Sequence, residues 1–243
     1  MRSLLVLPAL TVLLPAHAPA VPVTQAPLAQ RVQAAPRLRA DALRQLQGEL
    51  ALEANPAKGY YEALVAYGLV AQTMDQDPKG AEALLDQTLA ALKGRKDGES
   101  LALHGALLGL KIGFAPASGM TLGPRASALF EQALLGAPES PRVRLFQGLH
   151  VLHMPEFFGG GARAARPLLL GALKAAEAEV APKDPWAPRW GKAEALAWLA
   201  QAEIDLGQRA EAKAHVDQAL ALDPAYGFAR FVVAPRLAGQ GTR

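Results

Sequence analysis

Two histidines one helical turn apart, His150 and His153, come closest to a chemical site by type and spacing. Imidazoles three residues apart share a helix face and can ligate one metal ion together. A stable site needs further ligands, and beyond the first 20 residues the other histidines are His104 and His215. With each helix oriented on the small residue that recurs near its middle, His104 and His150 point about 60° apart. On the same frame His153 lies about 120° from His104. The three rings do not converge, and Glu156 is the best-placed carboxylate. Both histidines are expected to pack or to face solvent, with no metal and no cofactor.

Phe157-Phe158-Gly159-Gly160-Gly161 leads into a helix that carries Arg163 and Arg166. Free N–H groups of Gly160 and Gly161 at a helix start, with two guanidinium groups beside them, are a recipe for holding a phosphate or carboxylate. The simpler account weighs more: three glycines let the chain turn tightly while two phenylalanines close the edge of the core. Glu203 lies on the apolar face of its helix and needs a partner if buried, and Arg230 is the expected one. Trp186 and Trp190 sit in a Pro-rich connection and are expected to fold onto the core. Ser100, Ser118, Ser127 and Ser140 occupy no strand–turn–helix elbow. There is no phosphate loop and no dinucleotide fingerprint, so the chain is not expected to be an enzyme. It has no cysteine, which removes disulfides, thiolate zinc sites and thiol catalysis.

The elements that position these residues are helices. At 51% hydrophobic and 6% aromatic, with frequent Ala and Gly, the composition suits close helix packing rather than β-branched strands. A formal charge of +3 leaves no basic stripe, so nucleic acid is not an expected partner. Met1–Ala20, one positive charge followed by an apolar run and small residues, reads as a signal peptide cleaved after Ala20. No stable membrane span remains after cleavage, and the product is expected in the periplasm or secreted. Residues 21–36 read as a flexible lead-in, 37–238 as one helical domain and 239–243 as a disordered tail.

Within that domain, helical periodicity comes in pairs: Ala57–Met74 with Lys79–Lys93, Glu99–Gly113 with Pro124–Gly136, Ser140–His153 with Ala162–Glu179, and a last pair over Gly191–Asp223. A small residue recurs in each first helix, at Gly68, Gly105, Gly148 and Ala200, where the two helices of a hairpin must approach closely.

The last pair resembles the tetratricopeptide repeat (TPR), a helix–turn–helix unit of about 34 residues. Leu196 stands in the Trp slot of the motif, Leu199-Ala200 in the Leu-Gly slot, Ala212 and Val216 in the Ala and Phe slots, and Pro224 closes the unit; Glu203 replaces its usual Tyr. The resemblance implies an all-α, TPR-like solenoid of about four stacked antiparallel helix pairs with extra N- and C-terminal helices. It also implies a scaffold that binds a protein or peptide in the cell envelope. The alternative is an accessory subunit of an envelope transport or assembly complex, holding a small ligand in its groove. In such an array the connections Phe114–Pro124 and Met154–Gly161 should lie on one edge. They carry Phe114, Met120, Met154, Phe157 and Phe158, which either cap the helix ends or form an apolar landing site for a partner.

Overall fold

The structure is a computed structural model and describes residues 26–239. The expected leader and residues 240–243 of the expected tail lie outside that range. Every regular element among the described residues is helical: α1 Leu28–Arg31, a 3-10 segment Val32–Arg37, α2 Ala40–Ala51, α3 Lys58–Thr73, α4 Pro78–Leu92, α5 Gly98–Phe114, a 3-10 turn Pro116–Ser118, α6 Gly119–Gly136, α7 Pro141–His153, a 3-10 turn Glu156–Phe158, α8 Ala162–Ala178, α9 Lys192–Asp205, α10 Arg209–Leu222, and a π-helical turn Ala229–Val233 running into α11 Ala234–Leu237. None of the described helices is long and apolar enough to cross a membrane.

Local sequence explains where these helices begin. Asp77 accepts the Gly80 N–H at 3.0 Å and Asp97 accepts that of Ser100 at 2.9 Å. The Ser140 hydroxyl receives the Val143 N–H, with Pro141 in the first helical position. Each side-chain oxygen satisfies a backbone donor that the first turn leaves without a partner. At α9, Glu194 reaches back to accept the Gly191 N–H at 2.9 Å.

Helices α3 with α4, α5 with α6, α7 with α8 and α9 with α10 pack as adjacent pairs, and the first helices α3, α5, α7 and α9 also touch in that order. In the last pair Leu196, Leu199, Ala200, Ala212 and Val216 are all buried, while Pro224 follows the end of α10. The recurring small residues mark close approaches. A methyl on Gly148 would meet Leu169 of α8 at 2.7 Å, and one on Gly105 would meet Phe130 of α6 at 3.0 Å. At Gly68 the neighbour is Leu43 of α2, at 2.9 Å, so the helix pressed onto α3 there is the preceding one and not its hairpin partner α4.

Two sequence expectations change. Residues 28–36 are not a flexible lead-in: they form α1 and the 3-10 segment, and Val32 and Ala35 are buried in the main core. Their small apolar side chains supply the burial that offsets ordering a Pro- and Ala-rich segment. The connection Phe114–Pro124 is mostly helix as well. Phe114 ends α5 and α6 starts at Gly119, with Pro124 accommodated inside it.

The close approach at Gly148 predicts a stability asymmetry. Gly148→Leu installs a good helix former where there is no room, and should lose about 1–3 kcal/mol in urea unfolding. Gly109→Ala, at a position with nothing within 4 Å, should gain about 0.5–1 kcal/mol.

Candidate functional site

The first helices of the four pairs jointly line a cleft of about 530 Å³. Tyr67 comes from α3, Leu110 from α5, Phe146, Leu149 and His153 from α7, and Trp198 from α9; Phe228, Phe231 and Val232 close it from the C-terminal segment. A second cleft of about 760 Å³ opens between the C-terminal half of α7, the start of α8 and the end of α9. His153, Trp198, Phe228 and Val232 line both volumes and form their common wall. The wall is aromatic: Trp198 stacks on Phe228 with ring centres 4.2 Å apart and planes 28° apart, and the His153 ring stands across Trp198 at 5.6 Å and 78°. Tyr67 meets Phe146 edge-on at 5.4 Å, and burial pushes its hydroxyl up to about 12, so the phenol stays protonated. Volumes in this range are typical of small-molecule sites; the inner cleft is mainly apolar, whereas Glu156, Arg163, Gln201, Asp205 and Arg236 line the outer one.

The N-terminal segment forms one border of the inner cleft. Arg37 donates to Glu194 of α9 at 2.6 Å and to Asp223 at 2.8 Å. Gln33 accepts the Arg189 N–H at 2.8 Å, and the Tyr61 hydroxyl donates to the Trp186 carbonyl at 2.7 Å. Trp186 and Trp190 fold inward as expected, Trp186 against Tyr61 and Trp190 edge-on to Phe146 at 5.6 Å. Arg39 lies over the Phe231 ring at 5.8 Å, at the rim of the inner cleft.

The two candidate metal-ligating histidines have separate surroundings. His150 is half-buried against Phe130 of α6, its Nε2 is 3.3 Å from the Ser127 hydroxyl, and burial together with His153 lowers its pKa. His153 is exposed, and its Nδ1 lies 2.8 Å from the Leu149 carbonyl. A carbonyl oxygen can only accept, so Nδ1 carries the proton and Nε2 keeps its lone pair when the ring is neutral.

Of the anion candidates, Arg166 is committed elsewhere. It donates to the fully buried Glu203 at 3.0 and 3.2 Å, and the other oxygen of Glu203 accepts from His215 Nδ1 at 2.7 Å. Glu203 thus has two partners from α8 and α10, and Arg230 is not one of them. Arg230 instead lies over Phe231 and reaches the Pro224 carbonyl. The glycines answer to backbone geometry: Gly159 and Gly161 have φ of +86° and +88°, and a methyl on Gly160 would sit 2.1 Å from the Met154 carbonyl oxygen. Gly159 and Gly161 serve left-handed turns and Gly160 a close backbone approach, so turn geometry accounts for the run. Gly161 and Arg163 do line the outer cleft.

The apolar edge is divided. Phe114 packs against the core and Met154 is half-buried, whereas Met120, Phe157 and Phe158 are 72%, 81% and 55% exposed. The two phenylalanine rings pack on each other at 4.3 Å. Sequence reasoning missed the cleft residues Tyr67, Phe146 and Trp198. Each sits on a different helix, and the one available signal was a large aromatic beside an otherwise small or aliphatic helix face.

The chain is therefore an all-α protein of adjacent helix pairs with an aromatic cleft across its first helices. No family model matches it, and no curated protein matches its sequence. Among solved structures it is similar to the HusA haemophore from Porphyromonas gingivalis, at 23% identity over 73% of this chain and 92% of that one, with a TM-score of 0.53. At that identity the likeness is one of fold.

The Arg166–Glu203–His215 arrangement predicts a stability effect and not a binding one. Arg166→Met leaves the buried carboxylate with His215 alone and should cost about 3 kcal/mol in urea unfolding. Phosphate should bind the variant and the parent chain equally weakly.

Proposed function

We propose that this chain is an exported, non-enzymatic binding protein built from TPR-like pairs, which carries a planar and largely apolar small ligand in the cleft on its first-helix face. The observation that carries this reading is the Trp198–Phe228 stack, which forms the common wall of two clefts of about 530 and 760 Å³. Flat aromatic walls favour flat ligands, because offset stacking adds to the apolar area removed from water. The inner cleft takes side chains from all four first helices, so it exists only when the pairs are assembled. A fold shared with a haemophore supports haem as the ligand class. Arg39 and Arg163 at the rims suit the carboxylates that such a molecule carries. Of the two readings that the sequence left open, this one favours a small ligand over a peptide on the inner face. Part of that face is already covered by the chain's own segment from Gln33 to Arg39.

A second reading rests on the exposure of Met120, Phe157 and Phe158: a protein partner in the envelope uses this edge as its contact. The two readings separate by variant. Iron protoporphyrin titrated into the full chain should quench tryptophan fluorescence with one-to-one stoichiometry. Trp198→Ala should weaken binding on the order of tenfold. The double variant Phe157→Ala, Phe158→Ala should fold and bind the porphyrin as the parent does, while losing any envelope protein that co-purifies with the parent. Unquenched fluorescence at a large excess of porphyrin would remove the leading reading.

A further inference from the structure

The planar-ligand reading leaves open how the ligand is held, and His153 supplies an answer of its own chemistry. Among the described residues no three His, Cys, Asp or Glu side chains come together as a metal site. Among these residues a free ion, which needs three or four protein ligands, finds no cage. A metal already held in the plane of an organic ring system needs only one further donor from the protein.

Resting on that reading, we infer that His153 Nε2 is the protein's ligand to the metal at the centre of a planar ligand bound against Trp198 and Phe228. Three features of the site point this way. The Nδ1–H donates to the Leu149 carbonyl at 2.8 Å, which selects the tautomer with the lone pair on Nε2 and braces the ring. Metal-bound histidines in general have their second nitrogen held in this manner. The ring is exposed in the wall shared by both clefts, and no described residue hydrogen-bonds its Nε2. Its plane is 78° from that of Trp198. An imidazole can aim its lone pair along the normal of a flat ligand only when the two planes are nearly perpendicular, and a ligand parallel to the indole meets that condition. His150, three residues earlier, is turned into the α6 interface against Phe130 and Ser127 and is not available to the same metal.

The test compares iron protoporphyrin with metal-free protoporphyrin on the full-length chain. The two share shape and carboxylates and differ in the metal. The parent chain should bind the iron form on the order of tenfold more tightly. His153→Ala should bring the iron form down to the affinity of the metal-free one and shift the absorption spectrum of the bound porphyrin, with an unchanged helical circular-dichroism spectrum. Added imidazole should restore the parent spectrum to His153→Gly, and His150→Ala should behave as the parent. If both porphyrins bind the parent equally, or if His153→Ala keeps the preference and the spectrum, the ligand assignment is overturned while the cleft reading stands. If neither porphyrin binds, both are overturned.

Discussion

Two helices can lie against each other at the width of a single side chain only where one of them has almost none. Gly105 against Phe130 and Gly148 against Leu169 meet this constraint in the second and third pairs, and Ala200, buried with Ala212 and Val216, meets it in the fourth. The pairs can then stack with their first helices in contact, α3 to α5 to α7 to α9, and that contact creates the face on which the cleft forms. Any larger residue at these positions would separate the hairpins and spread the cleft walls, since a close-packed interior has no slack to absorb it.

Apolar contacts of this kind are non-directional, and buried ion pairs add directional contacts between the same helices. Arg142 of α7 is nearly buried and holds Glu99 of α5 at 2.8 Å, Glu179 beyond α8 at 2.6 Å and the Trp190 carbonyl at 3.2 Å. Arg166, Glu203 and His215 tie α8, α9 and α10 together, and Arg37 ties the N-terminal segment to α9 and to the end of α10. Such pairs offset their own desolvation only with good geometry and further hydrogen bonds. The Arg37 set joins segments more than 150 residues apart and the Arg142 set skips a helix, whereas Arg166, Glu203 and His215 fix three consecutive helices; together they favour one arrangement of pairs over others of similar apolar burial.

The arginine of each set is thereby withdrawn from ligand chemistry. Arg39, Arg163 and Arg236 line the clefts and belong to none of the three; Arg236 is paired with Asp205 at 2.9 Å, which leaves Arg39 and Arg163 to face a ligand. A protein that keeps its interior cations paired and its rim cations accessible can offer an apolar slot with charged margins. The flat ligand proposed above would need few hydrogen-bond partners there, whereas a peptide backbone would need them along its length.

Sequence alone determined the all-α class and the helix pairs, because helical period and the Gly or Pro residues that interrupt it act over a few residues. It also marked the small residues at Gly105, Gly148 and Ala200 and the buried face of the last pair. It misjudged residues 28–36, whose Pro- and Ala-rich composition looks unstructured until a core is present to receive Val32 and Ala35. It assigned Arg230 to Glu203 by the proximity expected of the following helix in a stacked array, whereas the partners come from α8 and α10. The cleft was illegible for the same reason. Tyr67, Phe146, His153, Trp198 and Phe228 are spread over more than 160 residues; His153 stands out in sequence only as half of a metal-ligand pair with His150, the others look like ordinary packed aromatics in their own helices, and only the stacking of the pairs brings them to one wall. Local periodicity determines which helices form. Tertiary packing decides which of their side chains meet, because contacts between distant helices depend on the angle and offset at which the pairs settle.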